Sequence, residues 1–151
     1  KDPEPFPSEG FVIKTRGDAS VDLTKPEAYF YAKYAIAAGA DKLTLKARNF
    51  SSTNPTYFGL VAITEDMTVT PVIPTFTPGE GVENYLGEAV NGQLFKFINE
   101  DGGQGNPEKY ATFEYDLSAF DGKNVVLALG VVKGEDSGNE DKLCMYSITL
   151  N

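Results

Sequence analysis

Histidine and tryptophan are both absent from this 151-residue chain, and cysteine occurs once. Without histidine there is no general base that titrates near neutral pH, no Ser-His or Cys-His nucleophile pair, and none of the commonest zinc ligand. A single thiol makes no intrachain disulfide. Cys144 stands in the apolar run "DKLCMYSITL", where it reads as a core residue. No apolar run approaches the eighteen or so residues of a membrane-spanning helix, so membrane insertion is not expected. Basic residues are scarce too: 13 Lys and Arg stand against 22 Asp and Glu, a net charge of −9. Such a surface repels nucleic-acid phosphates and anionic lipid and suits divalent cations or neutral ligands.

What is present is aromatic and β-prone. Ten Phe, eight Tyr and 41% apolar residues suffice for one globular domain. Residues 1–10, "KDPEPFPSEG", read as an extended linker or mature N-terminus, and residues 11–151 as a single domain. Strand signals recur at 11–15, 28–36, 42–50, 57–64, 94–98, 110–117, 125–132 and 142–150. Leu43, Leu45 and Ala47 alternate with Thr44, Lys46 and Arg48. Alternation also points Ala111, Phe113, Tyr115 and Leu117 inward, and Val125, Leu127, Leu129 and Val131 likewise. The run "YFGLVAIT" is apolar on both faces, as a central strand requires. Between 65 and 94, "MTVTPVIP" suggests a proline-bearing edge strand, and residues 82–90 suggest one short helix. Eight or nine short strands with turn residues between them, and at most one short helix, predict an all-β antiparallel jelly-roll sandwich.

The stretch "YDLSAFDGKNVVLALG" (115–130) joins two of these strands. Asp116 and Ser118 are placed to bond local backbone, Phe120 to plug the sandwich end, and Asp121-Gly122 to turn the chain. With the closing "KLCMYSITL" strand and the upstream "AGADKLTLKARNF", it resembles bacterial jelly-roll modules of the galactose-binding-like and cleaved-adhesin type. That resemblance implies a noncatalytic module of a secreted or cell-surface bacterial protein, lipoprotein anchoring included, often glycan-binding and often carrying structural calcium. No other cofactor is implied.

The candidate ligand-binding residues are Tyr29 and Tyr31 as a sugar platform, Lys46 and Arg48 (with Lys33) as donors, and Tyr57 and Tyr85 beside loops. Asp18, Asp22 and Glu27 offer oxygens for a loop calcium ion, although Leu23 occupies the position where an EF-hand loop needs glycine. Glu65, Asp66, Glu83 and Glu88 are the carboxylates available to a glycan hydrolase, which ranks third. "RGD" at 16–18 and the sequon "NFS" at 49–51 are short motifs that recur by chance. The expected partner is a glycan or, as the alternative, a neighbouring domain or protein. A protein-docking module requires a contiguous exposed apolar patch.

Overall fold

The computed structural model describes residues 11–14, 26–49, 54–100, 106–133 and 142–151; at 11–14, 26–30, 100 and 142 the description is of the backbone alone. Eleven strands occur among them: β1 (Phe11–Lys14), β2 (Pro26–Ala35), β3 (Lys42–Arg48), β4 (Thr56–Thr64), β5 (Val69–Val72), β6 (Thr75–Thr77), β7 (Asn84–Val90), β8 (Leu94–Glu100), β9 (Ala111–Asp116), β10 (Asn124–Val132) and β11 (Lys142–Leu150). They form two antiparallel sheets. One has five strands in the order β1-β11-β3-β9-β6; the other has six, in the order β2-β10-β4-β8-β7, with β5 also paired to β4. The chain passes between sheets at β2–β3–β4 and again along β8–β9–β10–β11, which makes the predicted antiparallel sandwich.

Alternation explains the interior. Leu43, Leu45 and Ala47 of β3 lie against Phe113, Tyr115 and Ala111 of β9, and all six are buried. From the other sheet come Phe58, Leu60 and Ala62 of β4 and Val125, Leu127, Leu129 and Val131 of β10. Rings fill the middle: Phe58, Phe97 and Phe113 meet edge to face with centroids 5.0–5.2 Å apart. Quadrupole attraction adds to burial in that geometry. Phe76 of β6 caps this group and lies so close to Gly87 of β7 that any Cβ there would overlap its ring. Tyr115 is fully buried, and its hydroxyl makes no hydrogen bond. Burial alone pushes its ionisation far above the ordinary phenol range.

The corner at 115–130 is built as its sequence predicts. Asp116 Oδ1 accepts from Ser118 N–H (2.9 Å), and one 3-10 turn covers Ser118–Phe120. Phe120 is buried, and Gly122 takes φ +77°. β4 is central, with β10 on one edge and β5 and β8 sharing the other.

Residues 82–90 are not helical. They hold β7, paired along its length with β8. Asn91 (φ 55°) and Gly92 (φ 65°) turn the hairpin, and Gln93 N–H returns to the Val90 carbonyl (3.1 Å). An Asn-Gly pair with both φ positive is the type I′ turn that strand twist favours. The proline-bearing edge strand expected in "MTVTPVIP" is β5, and β6 and β7 raise the strand number above the expected eight or nine. Pro71 is tolerated in β5 because that strand pairs only with β4.

Candidate binding face

Strand pairing brings four outward residues of the six-stranded sheet into one row. Tyr31 of β2 is opposite Ala128 of β10, Ala128 is opposite Val61 of β4, and Val61 is opposite Pro71 of β5. The next row runs Lys33, Val126, Ile63, Val69. Tyr31 is 73% exposed and Val69 55%; Ala128, Val61, Pro71, Val126 and Ile63 are half-buried. Lys33 is the one ionic side chain in the two rows. Beyond them the β4–β5 turn carries Met67, 75% exposed and at φ 65°. A left-handed conformation is costly for a side chain as long as methionine, and such strain collects at functional surfaces.

The turn itself is firmly held. Asp66 Oδ1 accepts from the Thr64 hydroxyl (2.6 Å) and from Thr68 N–H (3.1 Å). These donors, the Thr64 hydroxyl first, keep its carboxyl below the usual range. Asn124 Nδ2 donates to Glu65 Oε1 (3.2 Å), tying the turn to the start of β10. Between the two turns lies an open hollow of about 280 Å³ lined by Thr64, Glu65, Asp66, Gly122, Lys123 and Asn124.

At its other end the face is covered. The β7–β8 hairpin tip leans over Gly59, where a Cβ would stand 3.0 Å from the Gln93 carbonyl and 3.1 Å from Leu94 Cδ2. Under it Tyr57, Leu94 and Val132 form a small second core with Val90 packed beside them. Lys96 Nζ sits 5.8 Å from the Tyr57 ring centroid and 3.5 Å from Glu88 Oε1. Tyr57 first, and Glu88 after it, raise the pKa of this ammonium.

The predicted site residues are therefore not gathered in one place. Tyr31 is on the open face. Tyr29 has its backbone opposite Gly130 in the same sheet, and its side chain is outside the described set. Tyr57 is 3% exposed beneath the hairpin, so it is no loop-side ligand contact. Tyr85, 54% exposed, is on β7 opposite Asn99. Lys46 is half-buried on the other sheet, opposite Thr112 and Ser147. Arg48 is 3% exposed: Nε donates to the Tyr110 hydroxyl (3.3 Å), Nη1 donates to the Asn49 carbonyl (3.3 Å), and the guanidinium lies 5.7 Å from the Tyr110 ring centroid. Burial converts this predicted donor into a packing element.

Asp18 and Asp22, with the RGD at 16–18, fall outside the described residues, as does the side chain of Glu27. Among the described residues no three of His, Cys, Asp and Glu are grouped to hold a metal ion. The carboxylates Glu65 and Asp66 are engaged as above, and Glu88 pairs with Lys96 at the level of Tyr57, far down β4 from Thr64.

Asn49, the acceptor of the sequon, is 2% exposed. Its Nδ2 donates to the Asn54 carbonyl (3.3 Å) and its Oδ1 accepts from Asn99 N–H (2.9 Å). This amide is a structural pin and is not presented for glycosylation. Asn99, fully buried, extends the pin: Oδ1 accepts from Gly79 N–H (2.9 Å), and Nδ2 donates to the Lys109 carbonyl (2.7 Å). Gly79 is obligatory there, because a Cβ would overlap that carbonyl. The chain matches no known family model, and no curated protein is significantly similar to it.

Proposed function

We propose that this domain is a noncatalytic interaction module that docks a protein or neighbouring domain on the open face of its six-stranded sheet. The observation that carries the reading is the row Tyr31–Ala128–Val61–Pro71, four uncharged side chains in register across four strands of a chain with net charge −9. Neither sheet needs a second apolar face to fold, and contiguous apolar area outside the core is the mark of a docking surface. A glycan site is instead built from a few convergent polar groups. Here the rows offer only the Tyr31 hydroxyl and the Lys33 ammonium.

An apolar-surface dye such as anilinonaphthalene sulfonate tests this reading. The native protein binds the dye, and Val61→Lys with Ile63→Lys abolishes that binding while the circular dichroism of the fold is retained. Absent dye binding, or binding unchanged in the double variant, refutes the docking face. The exposure of Tyr31 favours a second reading, in which its ring stacks on a sugar and Lys33 donates to a hydroxyl. Retardation by a polysaccharide in an affinity gel, lost in Tyr31→Ala, is the result that reading requires.

A further inference from the structure

Resting on the docking-face reading, we propose that the partner is a second copy of this chain, packed face to face about a two-fold axis parallel to the strands. Across the open face the strand order is β2, β10, β4, β5. A two-fold axis along the strands, midway between β10 and β4, sets β2 of one copy over β5 of the other and β10 over β4. Each side chain then meets one of different shape or charge. Tyr31 covers Pro71, a ring on a ring. Ala128 faces Val61 and Val126 faces Ile63, a smaller side chain opposite a larger one in each pair. Aligned sheets about 10 Å apart interdigitate in this way inside any sandwich. A two-fold interface must be self-complementary; three of the four pairs meet that condition directly, and the fourth lays the aliphatic stem of Lys33 over Val69 with its ammonium extending past it.

Charge supplies the register. Lys33 lies at the β2 margin, and the Glu65-Asp66 turn lies at the β4–β5 margin, at the same end of the strands. The axis brings the ammonium of each copy to the acidic turn of the other, twice. The field between them carries no acidic side chain, so two chains of charge −9 meet without setting like charges against each other there. Met67, strained and 75% exposed in that same turn, falls on the partner's β2–β10 end. Contact there gives a reason for a long apolar side chain where glycine is conformationally cheaper.

Sedimentation equilibrium from about 1 μM to about 1 mM, the range in which a modest interface becomes populated, tests the proposal. A monomer–dimer equilibrium is expected for the native chain. Val61→Lys abolishes it. Lys33→Glu weakens it on the order of tenfold, and adding Glu65→Lys to that variant restores it. Met67→Gly separates association from folding: it raises the melting midpoint and weakens the dimer. If Val61→Lys fails to fold, Tyr31→Ala, at an exposed position, carries the same expectation of a weaker dimer. A single monomeric species throughout the range overturns the proposal, and so does a dimer indifferent to these changes. In the monomeric case, dye binding lost in the Val61→Lys, Ile63→Lys variant leaves the docking face standing with a different occupant, whereas dye binding that is absent or unchanged removes both.

Discussion

The outer face of the five-stranded sheet presents Thr44, Lys46, Thr112 and Glu114, joined at its margin by the Lys42–Glu114 ion pair (3.3 Å). The corresponding face of the six-stranded sheet presents Val61, Ile63, Val126 and Ala128. Both sheets close on one interior, so folding makes the same demand of each: one apolar side. The first sheet meets that demand and keeps polar side chains on its other side, with Arg48 and Cys144 buried at one end of it. In the second, β4 and β10 are apolar on both sides, and the hairpin β7–β8 covers only the end near Tyr57. The apolar surplus on the second sheet is therefore unrelated to closing the sandwich.

The largest effect is expected where the two sheets cannot be told apart. Phe113→Ala removes a ring in contact with Phe58, Phe76, Phe95 and Phe97, and destabilises the domain by about 3–5 kcal/mol in denaturant melts. A loss well under that range would mean the halves do not share one core.

Alkaline pH reaches the same interior through Tyr115, whose folded pKa is raised above its ordinary 10.0. Its stabilising contribution is complete below pH 10 and declines above it, because only the unfolded chain ionises there. The slope is up to about 1.4 kcal/mol per pH unit. Tyr115→Phe removes this group's share of the alkaline loss. It leaves neutral stability equal or up to about 1 kcal/mol higher, since an unbonded buried hydroxyl is deleted.

The outer faces are distinguished by exchange. Val61→Thr with Ile63→Thr costs about 1 kcal/mol or less and removes dye binding, whereas Thr44→Val with Thr112→Val creates dye binding on the other sheet. Equal dye responses in both pairs would mean that the two outer faces do not differ.

The smallest effect is electrostatic. Partial desolvation first, and the adjacent Asp41 carboxyl next, raise the pKa of Asp121. Its contribution is fully present below its unfolded value and is lost as pH rises through the folded one. Asp121→Asn therefore raises the melting midpoint slightly at pH 7 and not at pH 3. Asp66 has the opposite sign: its lowered pKa stabilises the β4–β5 turn above the unfolded value, and that support fades in acid.

Much of this architecture was legible in the chain because alternation is a period-two signal that burial enforces. Leu43, Leu45 and Ala47, the Phe113 series and the Val125 series are all buried as their spacing predicts. The corner at Asp116–Gly122 was legible because its turn chemistry is local. β7 does not read as a strand in sequence: in "NYLGEAV" the exposed edge strand leaves only Leu86 and Val90 partly buried, so no alternation remains. The Asn91-Gly92 turn was the available signal. Tyr57 and Arg48 were misplaced for a different reason. Their burial depends on a hairpin folded over the sheet and on Tyr110, both far away in sequence. The open face was half visible, in a β10 whose second side is Val126, Ala128 and Gly130. Its continuity with Tyr31 and Pro71 is a matter of strand order, which no local pattern encodes.

The amide of Asn99 has a kinetic meaning. Its side chain bonds Gly79 and Lys109, 20 and 10 residues away along the chain, while the backbone N–H of the same residue donates to Asn49, 50 residues away. The Asn49 bond joins the end of β3 to β8 in the other sheet, and the side-chain bonds tie the β6–β7 loop to the 3-10 turn before β9. All three are therefore expected to form after the strands that carry them have paired. Removing the two side-chain bonds with Asn99→Ala should leave the refolding rate nearly untouched and accelerate unfolding. That single side chain thus governs how long the sandwich stays closed rather than how quickly it forms.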